Sequence, residues 1–209
     1  MEQEIDGSGV VHIIDDDVAV CRALDSLFRS VRMDVRTYGS VPEFLALARQ
    51  DELGCIVLDV RLPGMNGLDF HQHLAELGVF LPVILITGYG DIPMSVKAMK
   101  AGAVDFLSKP FRGQDMLDAV NAAIERDRLR RLEERDVASV RTRFATLSPR
   151  EKQVMMLVTA GKMNKQVAAE LGISEITVKI HRSAVMRKMA ARTFAQLVRL
   201  ADALKSVVA

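Results

Sequence analysis

The chain has 209 residues, 49% of them apolar and 26% charged, the composition of a folded protein of one or two domains. Its longest apolar stretch, about Val79 to Ile86, is too short to span a bilayer, and the acidic N-terminus lacks the apolar core of a signal peptide, so a cytoplasmic protein with no membrane association is expected. The net charge of +1 conceals an acidic half, −8 over residues 1–126, joined to a basic half, +9 over residues 127–209, which suggests a cation-binding module tethered to one that meets polyanions.

In chain order, Val10–Ile14 reads as a buried strand. Residues 17–32 place Val20, Leu24, Leu27, Phe28 and Val31 on one helical face, with Asp17 as the N-cap. Asp34–Tyr38 reads as a short strand, and Val41–Arg49 as a short helix with Pro42 in its first turn. Strand 55–58, helix 67–77, strand 82–86, helix 92–101, strand 104–107 and a helix from about 114 follow. Five β-α units of this length predict an α/β fold, a doubly wound five-stranded parallel sheet with helices on both faces. From Glu125 to Arg143 both charge signs are dense, Leu129 and Leu132 are interleaved, and neither Gly nor Pro occurs. A helical, solvated connector is expected there. The remainder predicts a small all-α domain. Ser148-Pro149-Arg150-Glu151 combines a cap, a first-turn proline and a capping-box acid, opening a helix to Thr159. Further helices are expected from Asn164 to Leu171, from Ser174 or Glu175 to about Met189, and from Thr193 to roughly Leu204. The chain therefore divides into residues 8–125, a connector over 126–144, and residues 145–209.

Four apolar segments of the first half close on reactive groups. Val10–Ile14 ends in Asp15-Asp16-Asp17, strand 55–58 in Asp59, strand 82–86 in Thr87, and the segment through Leu107 in Ser108-Lys109-Pro110. Strand ends of an open parallel sheet share one edge, where ligands bind. Carboxylates there can hold a divalent cation, while a lysine and a hydroxyl can grip a phosphoryl group. This is the equipment for an aspartyl phosphate. The cysteines, Cys21 and Cys55, lack metal spacing and read as buried free thiols. Met94, Met99, Met155 and Met156 read as core filling, and His12, His71 and His73 as strand or helix-surface residues.

The ordered set Asp15-Asp16, Asp59, Thr87 and Lys109-Pro110 resembles the receiver domain of two-component response regulators. The run from Leu85 to Lys100 is similar to the FixJ branch. The resemblance implies a flavodoxin-like receiver in which Asp59 takes a phosphoryl group from a sensor histidine kinase. It implies Mg²⁺ held by Asp16, Asp59 and the backbone carbonyl of Arg61, with Asp15 acting through a water. Lys109 and Thr87 would bind phosphoryl oxygens, and the Lys109–Pro110 peptide would be cis. Arg61 and Tyr89 occupy positions that in such proteins influence how long the phosphoryl group survives. The resemblance further implies a switch in which Thr87 moves inward and Phe106 turns. Dimerisation would follow through helix 92–101 and strand 104–107, using exposed Met94, Lys97, Lys100 and Asp105. A magnesium-dependent aspartyl phosphatase is the rival reading. Its Asp-x-Asp-x-Thr opening fails at Ala19, and it leaves Asp59 without a task. A degenerate receiver is the other, yet all five expected positions are filled.

In the second half, Val167, Ala168, Leu171, Ile173, Val178 and Val185 are spaced to pack two helices across a turn at Gly172, with small Ala168 and Ala169 allowing close approach. Residues 147–209 carry a net +7, enough to meet a phosphate backbone. The segment from Leu147 to Arg182 resembles the LuxR-type helix-turn-helix. That resemblance implies a recognition helix over residues 175–189, with Lys179, Ile180 and Ser183 facing bases. Lys165, Thr177, Arg182, Arg187 and Lys188 are the candidates for backbone phosphates, and His181 reads as a packed helix-face residue. The whole chain then reads as a non-enzymatic, phosphorylation-controlled transcription factor whose partners are a kinase, promoter DNA, RNA polymerase and a second copy of itself.

Overall fold

The computed structural model describes residues 9–48 and 51–205. Ser8, at the expected start of the first domain, Arg49, at the expected end of the second helix, and residues 206–209 lie outside them. The chain divides into two units, one ending at Arg130 and one beginning at Arg131.

The first unit is built on five parallel strands, β1 (Val10–Ile14), β2 (Asp34–Tyr38), β3 (Gly54–Asp59), β6 (Val83–Thr87) and β7 (Asp105–Ser108). They pair in the order β2-β1-β3-β6-β7. Its helices are α1 (Val18–Ser30), α2 (Val41–Leu47), α3 (Gly67–His73), α4 (Ile92–Lys100) and the part of α5 (Gly113–Ala145) up to Arg130. Alternate residues of one strand serve opposite faces. Ile56, Leu58, Val83 and Leu85 join one buried cluster with Phe44 and Phe70. Cys55, Val57, Ile84 and Ile86 join the other, with Phe28 and Met116. Because both faces are covered, β1, β3 and β6 are buried along their whole length, which is why they read as continuous apolar runs. Truncating a fully buried anchor such as Phe28 to Ala would cost about 3–5 kcal/mol.

The strand order reverses between β1 and β3, β2 being added on one side of β1 and β3, β6 and β7 on the other, and a crevice opens beyond the carboxyl ends of strands at such a switch point. Asp17 caps α1 as expected, its carboxylate accepting from the backbone N–H of Ala19 at 2.8 Å.

Several elements differ from the sequence expectation. Strands β3, β6 and β7 are displaced or extended by one residue. The helix expected over 67–77 ends at His73, and the chain leaves it through tight turns closed by Gly78 at φ +75°. A short antiparallel hairpin, β4 (Arg61–Leu62) with β5 (Met65–Asn66), follows Asp59 and turns at Gly64, φ +78°. Residues 126–144, expected to be a helical connector, are helical and lie within α5, which runs for 33 residues. Met99, Met156 and Val31 are exposed, while Met155 fills core as expected. His12 is fully buried within β1, with its Nδ1 3.1 Å from the Tyr38 hydroxyl.

In the second unit, α6 (Pro149–Thr159), α7 (Asn164–Leu171), α8 (Glu175–Lys188) and α9 (Phe194–Lys205) enclose Val154, Val158, Val167, Val178, Val185, Met189 and Leu197, together with Val140 and Phe144 of α5. The capping box is formed in both directions: Ser148 N–H donates to Glu151 at 2.7 Å, and Glu151 N–H to Ser148 Oγ at 3.3 Å. Gly172, φ +66°, makes the turn between α7 and α8. Ala168 packs in this core, whereas Ala169 is exposed. Among the described residues no helix is long and apolar enough to cross a membrane.

Candidate functional site

The ends of four strands deliver the expected groups to one edge. Asp15 and Asp16 follow β1, Asp59 closes β3, Thr87 closes β6, and Lys109 follows β7. Carboxylate oxygens of Asp15, Asp16 and Asp59 lie within 4.8 Å of one another, a group that could hold a metal ion. Asp15 and Asp59 are buried and Asp16 is exposed. Lys109 Nζ donates to Asp15 Oδ2 at 2.6 Å and stands 3.4 Å from Asp59 Oδ1. The other Asp15 oxygen accepts from Asp17 N–H at 2.9 Å, so both oxygens of this carboxylate are engaged within the chain. The Lys109–Pro110 peptide is cis, and Lys109 N–H bonds the Thr87 carbonyl at 2.7 Å, joining the ends of β7 and β6.

Burial pushes the Asp59 carboxyl above its usual range; Lys109 opposes this, and neighbouring Asp15 and Asp16 add to it. Burial pulls the Lys109 ammonium down, but its hydrogen bond to Asp15 and the charges of Asp15 and Asp59 together hold it above its usual value. Three carboxylates and one ammonium leave a net negative site. Oxygen donors, few in number and partly exposed through Asp16, suit a small hard cation that keeps some of its waters.

Around this edge, Thr87 is buried and its Oγ1 accepts from Tyr89 N–H at 3.3 Å. The Arg61 guanidinium lies 4.2 Å from the centre of the exposed Tyr89 ring. Phe106 is half-buried beside Gly90: a Cβ on Gly90 would fall 2.9 Å from Phe106 Cε1 and 3.2 Å from Thr87 Cγ2. Sequence reasoning missed Gly90, for which only its place in the Gly-Tyr-Gly run offers a signal. It also missed that half-buried Cys21 donates its thiol to the Asp15 carbonyl at 3.3 Å. On α4, Lys97 and Lys100 are exposed as expected, but Met94 packs against the core; Asp105, which opens β7, is half-buried.

In the second unit, Lys179, Ile180, Ser183 and Arg187 stand exposed on α8, and Lys165 on α7. Thr177, half-buried, bonds the N-cap Ser174: its hydroxyl lies 2.8 Å from Ser174 Oγ. Two of the expected phosphate-facing cations are engaged within the chain. Arg182 donates to Asn164 Oδ1 at 2.8 Å and lies over the Phe194 ring. Lys188 Nζ donates to Glu151 Oε2 at 2.7 Å and to the Thr146 carbonyl at 3.3 Å.

The family profile of the response regulator receiver domain matches residues 11–121, and that of the bacterial regulatory proteins of the luxR family matches residues 145–201. Nodulation protein W of Bradyrhizobium diazoefficiens is 56% identical over 201 residues, spanning 96% of this chain and 88% of that one. The chain belongs to the FixJ-type response regulators. FixJ of Rhizobium meliloti is 41% identical over 191 residues, covering 91% of this chain and 94% of its own. Among solved structures, the response regulator StyR superposes with a TM-score of 0.79 at 42% identity, covering 92% of this chain and 98% of that chain. Full-length FixJ from B. japonicum gives 0.57 at 36%, covering 96% and 98%. This response regulator is thus a phosphorylation-dependent transcriptional regulator, a receiver followed by a LuxR-type helix-turn-helix, and its two domains imply a kinase partner and DNA binding. The phosphatase alternative gains no support from these matches.

Proposed function

We propose that the regulator accepts a phosphoryl group on Asp59 and that the modified chain pairs and engages promoter DNA. In the transfer, an Asp59 carboxylate oxygen attacks phosphorus while the bond to the kinase histidine nitrogen breaks, leaving an acyl phosphate and a free imidazole. Lys109 turns from the carboxylates to a phosphoryl oxygen, and the Thr87 hydroxyl donates to another. Asp16, Asp59 and the Arg61 carbonyl are the groups that would hold Mg²⁺, with Asp15 on a bound water. The cation supplies charge neutralisation for the transferring group. The observation carrying this reading is the convergence of the Lys109 ammonium on Asp15 and Asp59 at the switch point of the sheet.

The division into a receiver over residues 8–125, a connector over 126–144 and a DNA-binding domain over 145–209 belongs to the same reading. So does the switch through Thr87 and Phe106. The exposed Lys97 and Lys100 of α4 support a two-fold contact there, and two linked protomers would present two recognition helices to one site. Lys179, Ile180 and Ser183 face bases; Lys165, Thr177, Arg182, Arg187 and Lys188 lie toward the backbone, and RNA polymerase is the machinery that responds.

Binding of the full-length chain to DNA from upstream of its own gene tests this, with and without acetyl phosphate and Mg²⁺. Affinity should rise on phosphorylation and fall steeply with salt. Binding that is unchanged by acetyl phosphate in the presence of Mg²⁺ would contradict it.

A further inference from the structure

Ile176 and Ile180 are 70% and 63% exposed on the first two turns of α8. At 3.6 residues per turn, residues 176, 179, 180, 183 and 187 share one face of the helix. Val178 and Val185, both fully buried, occupy the opposite side. Single exposed apolar residues are ordinary on protein surfaces. Here two large β-branched residues share a face otherwise made of Lys179, Ser183 and Arg187. They contribute nothing to the core and lower helix propensity relative to Lys or Gln.

We propose that Ile176 is a sequence-reading residue that packs on the 5-methyl group of a thymine in the major groove, beside Ile180. The inference rests on the DNA-binding reading above and adds the class of base that this position selects. The surroundings argue for a polyanion rather than a protein partner, since residues 147–209 carry a net +7 and Lys179 and Arg187 flank the isoleucines. Thymine offers an apolar group in that groove, its 5-methyl, so an apolar side chain there discriminates by methyl contact. The N-terminal turns of a recognition helix are the part that reaches base edges. That turn is held by the cap, where Ser174 Oγ accepts from Thr177 N–H at 3.1 Å and meets the Thr177 hydroxyl at 2.8 Å. A β-branched side chain is stiff at χ1, so Ile176 is presented with little entropy left to lose.

The test begins with a duplex enriched from a random-sequence pool by the full-length protein with beryllofluoride and Mg²⁺. Each thymine of that duplex is then replaced singly by deoxyuridine, which removes only the methyl group. Wild-type affinity should fall about fourfold at the Ile176 position, the worth of one methyl-sized group taken from water. Ile176→Ala should bind the thymine duplex correspondingly more weakly and be indifferent to that replacement, whereas Ile180→Ala should remain sensitive to it. Wild-type indifference to every replacement, or an Ile176→Ala variant as sensitive as wild type at every position, would overturn the assignment and leave DNA binding intact. A pool that enriches no sequence would overturn sequence-specific binding itself.

Discussion

Lys109 Nζ lies 2.6 Å from Asp15 Oδ2 and 3.4 Å from Asp59 Oδ1, so one ammonium bridges two carboxylates that arrive from different strands. The Asp15 side chain is 1% exposed and the Asp59 side chain 9%. Neither charge can be left to water when the lysine is removed. Lys109→Ala should therefore destabilise the receiver by about 2–4 kcal/mol, somewhat below a fully enclosed pair because Asp16 keeps the site open to solvent. Mg²⁺ should raise the melting temperature of this variant by more than that of wild type, since the cation then meets carboxylates without a competing ammonium. Equal Mg²⁺ shifts in the two proteins would show that Lys109 does not compete for the acids.

The Lys188–Glu151 pair gives a second expectation. The Lys188 hydrogen bond, followed by the Ser148 backbone N–H, holds the Glu151 carboxyl below its usual range. A depressed carboxylate stabilises the fold above its unfolded pKa and loses that contribution as pH falls through the folded one. Lys188→Ala should thus lower the stability of the helix-turn-helix unit by about 0.5–1.5 kcal/mol at neutral pH, the partly exposed ammonium being screened by water, with Lys188→Arg restoring part of it. Denaturation of each variant measures this. A Lys188→Ala protein as stable as wild type but weaker on every DNA would return Lys188 to backbone phosphate contact alone.

Gly90 provides a third. An added Cβ would stand 2.7 Å from Ser108 Oγ and 2.9 Å from Phe106 Cε1, closer than real side chains approach. Gly90→Ala should cost about 1–3 kcal/mol and displace the Phe106 ring. Phosphorylation from acetyl phosphate should persist, while the phosphorylation-dependent change in sedimentation should be altered. Wild-type behaviour in both assays would separate Gly90 from the proposed switch.

His12 sets a pH dependence. Burial, with Arg36 adding to it, lowers its pKa from 6.5 to about 4. Between those values the unfolded chain binds the proton and the native chain does not, so stability rises with pH across that window. The receiver should lose about 2 kcal/mol between pH 7 and pH 5 through this group. His12→Phe should flatten that part of the profile in chemical denaturation, and a profile unchanged by His12→Phe would assign the acid sensitivity to other groups.

Much of the receiver was legible because its signals are local. Buried parallel strands read as apolar runs, and Asp15, Asp16, Asp59, Thr87 and Lys109 stand at their ends, so one topological rule brings them to one edge. The hairpin after Asp59 was not legible, since two strands of two residues each carry no period. The early end of α3 depends on Gly78 five residues on, outside the apolar pattern that suggested a longer helix. Pairings across the sequence were hidden for the same reason: Lys188 meets Glu151 over 37 residues, and Arg182 meets Asn164 over 18. Charge alone does not reveal that both are also engaged within the chain. Exposure was the missing quantity for Ile176, because an isoleucine in a helix reads as core until its neighbours are placed.

The most direct test of the account is covalent labelling of the full-length chain by acetyl phosphate in the presence of Mg²⁺, read by intact-protein mass spectrometry. Wild type should gain one phosphoryl group, lost on chelation of the cation before reaction, and Asp59→Asn should gain none, because an amide cannot serve as the nucleophile. An Asp59→Asn protein that still carries the added phosphoryl mass would contradict the assignment of Asp59 as the acceptor.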